Sequence, residues 1–268
     1  MLQCRQLLFA LLISTLPAMA QTAREAIAYT LRFPDAAAHY LDVDMVLPTE
    51  GAKEIHLFMP TWTPGSYLMR EYSRNITSLK AADAGGSPLE VTKTSNNRWT
   101  IESENVASVT IHYRLFCHEI NVRNNWVESN FAVINGAPTF LTIVDDYDRP
   151  YLVTVELPSS WATTSSPLPS AGTTNSYSAP DFDTLVDSPL IAGSPQVDSF
   201  EVDGISHSLV TIGGGGVWDN ARAARNVQHL VEAQRTFWGS LPYDEPYIFF
   251  NLLTGSRGGL EHKQSMLM

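Results

Sequence analysis

The stretch Tyr40-Leu41-Asp42-Val43-Asp44-Met45-Val46 alternates apolar and acidic side chains from Leu41 to Met45. A period of two predicts a β-strand with one buried face. Similar runs lie on both sides of it, at Tyr29–Phe33, Glu54–Met59, Ser78–Asp83, Glu90–Thr94, Arg98–Ile101, Ser108–Leu115, Thr139–Val144 and Tyr151–Leu157. Because no helical pattern interrupts the series, we predict a mainly β fold that begins with an antiparallel β-sandwich or one large sheet.

Residues 157–180 are rich in Ser, Thr and Pro. This composition also occurs in mucin-like linkers. The aromatic residues Trp161 and Tyr177 favour a different interpretation, in which the segment is an irregular loop packed on the sheet.

The pattern changes after residue 194. We predict a hairpin over Ser199–Ile212, then a helix over Asn220–Trp238, and then a strand over Tyr247–Leu253. Asp219 is a suitable N-cap for the helix, and Gly239 is the expected C-terminal stop. This β–α–β order differs from the preceding run of strands and indicates a second domain of α+β character.

We therefore divide the chain into a signal peptide (1–20), an N-terminal β-domain (21–194) and a second domain (195–268). The signal peptide is indicated by an apolar core, Leu7–Ile13, and by the small-x-small pattern Ala18-Met19-Ala20. The apolar run is shorter than the roughly 18–20 residues that a membrane span needs. We expect a periplasmic or secreted protein with no membrane span.

Composition excludes some functions. The chain has 268 residues, is 44% hydrophobic and carries a formal net charge of −11. A globular protein this acidic, with no Lys/Arg cluster, is a poor candidate for nucleic-acid binding. Cys4 lies in the signal peptide, so Cys117 is the one cysteine expected in the mature chain and no internal disulfide is predicted.

Three motifs suggest ligand sites but lack essential residues. His118-Glu119 begins an apparent H-E-x-x-H zinc motif, but Val122 stands where the second histidine belongs. Asp145-Asp146-Tyr147-Asp148 lacks the spacing of a calcium loop and is better explained as a turn. The glycines at 213–216 lack the residues of a phosphate-binding motif, so we interpret them as a flexible connection.

Two segments remain as candidate sites. Gly258-Gly259-Leu260-Glu261-His262 has glycines that would allow another backbone to approach, followed by a carboxylate. It is either a bulge with a solvated Glu-His pair or a strand along which an extended peptide binds. The aromatic- and arginine-rich segment Trp62–Arg74 is either a structural corner with a turn at Pro64-Gly65 or a recognition surface.

These two segments resemble the glycyl-aminopeptidase family of zinc metallopeptidases, whose members often carry a PDZ domain. The resemblance rests on Trp62–Ile76 and on Leu241-Pro242-Tyr243 followed by Gly258–His262 and Ser265. It implies a β-domain followed by a thermolysin-like catalytic domain, and peptide substrates beginning with glycine or another small residue. It also implies that Glu261 holds the free amino group of the substrate, while Gly258 and Gly259 make room for its backbone.

The family's zinc-binding H-E-x-x-H helix and third ligand follow this strand, and the sequence contains neither. We therefore expect the catalytic domain to be truncated and the 268-residue chain to be an inactive fragment, with no catalytic and no metal-binding residue of its own. The alternative is a secreted β-sandwich that binds peptides or glycans through the Trp62–Arg74 segment without catalysis. A third possibility is a structural subunit that pairs through an open sheet edge.

Overall fold

The computed structural model of the protein describes residues 24–214, 216–255 and 257–268. The predicted signal peptide lies outside these residues, so it stays a prediction. No helix among the described residues is long and apolar enough to cross a membrane.

The described residues form twenty strands, two α-helices and two short 3₁₀ helices. The strands are β1 (Ile27–Arg32), β2 (Tyr40–Pro48), β3 (Glu54–Phe58), β4 (Ile76–Asp83), β5 (Pro88–Leu89), β6 (Val91–Ser95), β7 (Arg98–Glu102), β8 (Ser108–Phe116), β9 (Trp126–Val127), β10 (Ala132–Ile134), β11 (Thr142–Ile143), β12 (Tyr151–Glu156), β13 (Thr163–Ser165), β14 (Ser176–Ala179), β15 (Leu190–Gly193), β16 (Gln196–Val202), β17 (Ile205–Ile212), β18 (Tyr247–Leu252), β19 (Leu260–Glu261) and β20 (Ser265–Leu267). The helices are α1 (Phe182–Val186), α2 (Asn220–Trp238) and the 3₁₀ helices Ala36–Ala38 and Tyr72–Asn75.

The mainly β prediction is confirmed, and the strands form four sheets. A seven-stranded sheet has the order β14-β12-β1-β2-β8-β4-β5, and two four-stranded sheets have the orders β13-β15-β10-β9 and β11-β3-β7-β6. The prediction that the N-terminal strands are all antiparallel is wrong for one pair, because β1 and β12 are parallel. Period-two sequence patterns define the faces of a strand but not the direction of its neighbour, so the sequence could not reveal this pair.

The core of these three sheets is filled by the inward-facing residues of the alternating strands. In β2 the side chains of Leu41, Val43, Met45 and Leu47 are fully buried, as the alternation predicted. Trp161 is also buried, and its indole nitrogen donates to the carbonyl of Ser129 over 2.9 Å. The 157–180 segment is therefore packed as expected, although it contains β13 and β14 and is not entirely irregular.

The strand predicted over Thr139–Val144 is largely wrong, because only Thr142 and Ile143 pair as β11. In the residues before them, the N–H groups of Thr139 and Phe140 donate to the Gly136 carbonyl, and two carbonyls accept from side chains. The Tyr113 hydroxyl donates to the Thr139 carbonyl over 2.8 Å, and the Tyr29 hydroxyl donates to the Leu141 carbonyl over 2.6 Å. Buried carbonyls need a partner, and here distant tyrosines replace a neighbouring strand.

The fourth sheet has the order β16-β17-β18-β20-β19. The β16–β17 hairpin closes at Asp203-Gly204, and both residues have positive φ. Helix α2 has the predicted bounds: Asp219 accepts from the main-chain N–H of Arg222, and Gly239 ends the helix with φ +86°. Strands β17 and β18 are parallel neighbours, and such a pair needs a crossover connection. Helix α2 provides this connection.

Candidate substrate-binding site

The strand β19 lies at the edge of the fourth sheet and pairs with β20 alone among the described strands. The main-chain N–H of His262 donates to the Ser265 carbonyl over 2.8 Å, which marks that pair as hydrogen-bonded. Main-chain groups of an antiparallel strand point to alternate sides. Those of Glu261 and Gly259 therefore point away from β20, toward the side on which no further described strand pairs.

Glu261 is exposed and lies opposite Met266 in the β19–β20 register. No Lys, Arg or His side chain in the described part of the chain is within ion-pair distance of its carboxylate. Burial raises the pKa of the nearby Tyr247 phenol to about 12, with further contributions from Tyr243 and Glu261. Tyr247 stays neutral and donates to the Ser265 carbonyl over 2.8 Å. Glu261 is therefore an uncompensated negative charge available to an incoming cation.

The two glycines before β19 differ in whether the backbone at that position could accept another residue. Gly258 has φ +154°, a conformation that other residues rarely adopt, and a side chain there would meet Val122 at 3.4 Å. A side chain at Gly259 would make an ordinary contact of 3.5 Å with Met266. Both glycines are exposed. The backbone thus requires glycine only at Gly258, while the absence of a side chain leaves the edge accessible at both positions.

The two candidate segments of the sequence meet at this strand. The Ser66 N–H donates to the Thr63 carbonyl over 3.0 Å, and Gly65 has φ +78°, which together define the predicted turn at Pro64-Gly65. A side chain at Gly65 would lie 2.9 Å from Leu260 Cδ1 and 3.3 Å from the carbonyl oxygen of Glu261. The turn is therefore packed directly against the backbone of β19.

The remainder of the Trp62–Arg74 segment combines anchored and exposed side chains. Tyr72 and Ser73 are buried, and the Ser73 hydroxyl donates to the Asn96 carbonyl over 2.8 Å. By contrast, Tyr67, Leu68 and Met69 are 80%, 68% and 74% exposed. Tyr72 and Ser73 fit the structural-corner interpretation. The three consecutive exposed apolar side chains are of a kind that can contact a ligand, so the recognition interpretation stays a prediction.

The other end of β19 is fastened to helix α1. His262 is buried, and its Nδ1 lies 2.9 Å from Asp187 Oδ1. Since a carboxylate only accepts, Nδ1 carries the proton. The second oxygen of Asp187 accepts from the main-chain N–H of Lys263 over 2.8 Å. Asp187 therefore fixes the chain immediately after Glu261.

The peptidase M61 N-terminal domain matches residues 28–194, more than half of the chain. The chain belongs to this family. A solved aminopeptidase N family protein from Idiomarina loihiensis is 27% identical with a TM-score of 0.83, and the match covers 90% of this chain and 41% of that chain. An M1 zinc metallopeptidase mutant from Deinococcus radiodurans, solved with a Tyr-Ser-Ala substrate, is 14% identical with a TM-score of 0.49, covering 92% of this chain and 60% of that chain. A search of curated proteins finds no significant match.

These comparisons make the protein metallopeptidase-related. The glycine preference and the PDZ domain implied by the sequence resemblance stay predictions, as do the domain bounds, the thermolysin-like character of residues 195–268 and the roles of Gly258, Gly259 and Glu261.

The described residues of this M61-family chain do not fit a zinc centre. They contain no group of three or more His, Cys, Asp or Glu side chains that could hold a metal ion. His118 forms an isolated bridge with Trp126 instead of lying on a helix, so the H-E pair at 118 does not have the geometry of a zinc helix.

The two remaining motifs have structural roles. Asp146 accepts from Arg24 and from Arg149, so this carboxylate of the acidic turn is paired with two arginines. A side chain at Gly213 would lie 2.8 Å from the Leu253 carbonyl, and one at Gly214 would overlap Leu253 Cδ1. These glycines are required for close packing, which the interpretation as a flexible connection did not anticipate.

The sequence did not single out Asp187 or Arg123, although both lie at the site. Asp187 lies two residues before Pro189, and nothing in its neighbouring sequence indicates its contact with His262. Arg123 Nε donates to the Ser66 hydroxyl over 3.0 Å, between the Pro64-Gly65 turn and Gly258. Both contacts join distant segments, and no periodicity or motif could have revealed them.

Proposed function

We propose that this chain supplies the substrate-binding edge strand of an exported zinc metallo-aminopeptidase, which removes N-terminal glycine or another small residue from peptides. The observation that carries the proposal is Glu261, an exposed carboxylate on an edge strand that pairs on one side only among the described strands. An extended peptide adds to such an edge through main-chain hydrogen bonds.

The residues of the edge have separate roles in this proposal. Glu261 accepts charge-assisted hydrogen bonds from the free amino group, which selects the beginning of a peptide over its interior. Gly259 and Gly258 lie beside the following residues, where the missing side chains admit the substrate backbone. The peptide therefore runs from Glu261 toward Gly258, antiparallel to β19.

Zinc belongs to the proposal for the whole enzyme, where it would polarise the scissile carbonyl and activate water. The described residues contribute binding and orientation. Export is proposed from the sequence of residues 1–20, and cell fractionation with detection of the mature N-terminus would test it.

The binding role is tested by titrating the 268-residue chain with the amide Gly-Ala-Ala-NH2 and with its N-acetylated form, followed by calorimetry. Amidation removes the C-terminal charge, so the comparison isolates the amino group. We expect N-acetylation and the Glu261→Gln substitution each to weaken binding by roughly tenfold, the effect of losing one charge-assisted hydrogen bond.

Glu201→Gln is the matched control, because Glu201 is exposed on β16 at the opposite edge of the same sheet. It should bind the peptide like the wild type. Equal affinity of the free and acetylated peptides for the wild-type chain would refute the assignment of Glu261.

A second candidate is a binding module that recognises ligands through the Trp62–Arg74 segment. The rings of Trp62 and Tyr67 lie 5.8 Å apart, and both side chains are exposed. If Tyr67→Ala abolishes peptide binding while Glu261→Gln has no effect, the binding module is the better description.

A further inference from the structure

Arg123 is a half-buried cation beside the beginning of the edge strand. A side chain at Gly258 would begin 3.8 Å from its Nη1 atom. Within residues 24–214, 216–255 and 257–268, no carboxylate lies within ion-pair distance of this guanidinium. A guanidinium has five N–H donors, and among the described residues only Nε–H has a side-chain partner, the Ser66 hydroxyl at 3.0 Å.

The backbone that presents Arg123 is held from two directions. Asn121 Oδ1 accepts from the main-chain N–H groups of Arg123 and Asn124, over 2.8 and 3.0 Å. The Tyr72 hydroxyl donates to the Arg123 carbonyl over 3.2 Å. With the hydrogen bond to Ser66, these contacts fix the guanidinium in place before any ligand arrives, which reduces the entropy lost on binding.

The nearest acidic side chain of this loop is already engaged. Glu119 accepts from Arg74 over 2.7 Å, and its second oxygen accepts from the Asn124 amide. The ion pair between Glu119 and Arg74 therefore leaves the charge of Arg123 uncompensated. A planar guanidinium in this state is suited to a carboxylate, which it can bind through two parallel hydrogen bonds.

The number of residues between Glu261 and Gly258, the residue beside Arg123, gives the length of the ligand. Gly258 precedes Glu261 by three residues, of which only Leu260 and Glu261 lie in β19, so the two positions are at most about 10 Å apart, the length of three extended residues. An extended tripeptide has about the same distance between its amino group and its third residue. We propose that Arg123 receives a carboxylate carried by the third residue of the bound peptide, and so determines which peptides the site prefers.

This inference rests on the proposed function, because it assumes that Glu261 holds the amino group. The carboxylate has two possible sources: the C-terminus of a tripeptide, or an acidic side chain at the third position of a longer peptide. Both place the same chemical group at Arg123, and they are separated by the choice of probe.

The test compares free-amine peptides that differ only at the third residue. Gly-Ala-Ala as the free acid should bind the wild-type chain about five- to tenfold more tightly than Gly-Ala-Ala-NH2, and Arg123→Gln should remove this difference. Arg123→Lys should retain only part of it, since an ammonium does not make the bidentate contact. Gly-Ala-Asp-NH2 against Gly-Ala-Asn-NH2 tests the side-chain source in the same way.

Arg225→Gln is the matched control, because Arg225 is exposed on α2 and its loss changes the net charge equally. It should keep the preference for the acid. Extending the peptide to Gly-Ala-Ala-Ala moves the carboxylate one residue further and should reduce its dependence on Arg123.

The outcomes separate the two proposals. If acid and amide bind equally while N-acetylation still weakens binding, Arg123 is not a carboxylate receptor and the role of Glu261 stands. If the preference for the acid survives Arg123→Gln, the inference is also wrong. If no peptide shows saturable binding, both proposals fail.

Discussion

Gly65 shows how one residue links the sequence to the site. Its φ of +78° is required by the turn that follows Pro64, and the sequence predicts this much from the Pro-Gly pair. The structure adds a second reason, because Leu260 and the Glu261 carbonyl occupy the space where a side chain would begin. The same glycine therefore shapes the Trp62–Arg74 segment and determines how closely it approaches β19.

Substituting Gly65 tests this double role. Gly65→Ala should lower the free energy of unfolding by about 2–4 kcal/mol, the sum of backbone strain and a clash with the edge strand. Gly86 is the matched control, since it has φ +85° and a Cβ atom at this position would have nothing within 4 Å. Gly86→Ala should cost only about 1 kcal/mol. Equal losses in urea denaturation would contradict the contact with β19.

The β19–β20 hairpin depends on a contact outside its own sheet. Two-residue and three-residue strands have few ladder hydrogen bonds, and β19 has a partner on one side only. Asp187, at the end of α1, accepts from both His262 and Lys263 and so adds two hydrogen bonds at the turn. The position of Glu261 thus depends on α1, an element that is distant from it in the sequence.

Removing Asp187 should loosen this hairpin. Asp187→Ala leaves the buried Nδ1–H of His262 without an acceptor, which should cost about 1–3 kcal/mol of stability. We expect faster amide hydrogen exchange in β19 and β20 than in β1 or β2. Asp183→Ala is the control, because Asp183 is an exposed residue of the same helix. Unchanged exchange in the hairpin after Asp187→Ala would show that the ladder alone holds it.

On the scale of the whole molecule, the fourth sheet shares a hydrophobic cluster with the preceding strands. Val122, Phe131, Val133 and Ile191 pack with a second group from the fourth sheet, which consists of Val210, Ile212, Phe250, Leu260 and Leu267. Leu260 is the edge-strand member of this cluster and is 1% exposed. Burying the side chain of Leu260 places the next residue, Glu261, on the opposite face of β19.

This shared cluster predicts a single cooperative unfolding transition for the described chain. Phe250→Ala should lower the stability of the whole chain by about 3–5 kcal/mol, because Phe250 is fully buried in the cluster. Far-UV circular dichroism and tryptophan fluorescence should give coincident curves for both proteins. Phe237→Ala is the control: Phe237 is 76% exposed on α2, so its loss should change stability by about 0.5 kcal/mol or less. Two separate transitions would show that the cluster does not couple the sheets.

Much of this fold follows from local patterns. The alternation in β2 and β8, the hairpin at Asp203-Gly204 and the capped helix α2 all appear where the sequence predicts them. The short strands β9, β10, β13 and β15 were not predicted, since two to four residues are too few to show a period. The loop at Thr139–Leu141 was mistaken for a strand because buried tyrosines supply its hydrogen bonds from elsewhere in the chain.

By itself the sequence determined the β-rich character of the chain, its one long helix, its turns and the two segments from which a peptide-binding role was inferred. Each of these depends on interactions between residues close in sequence, which leave a period or a cap. Tertiary structure decided that the Pro64-Gly65 turn lies on β19, that Asp187 holds His262 and that Arg123 lies beside Gly258. Such contacts depend on how distant segments pack, and the residues adjacent in sequence do not indicate them.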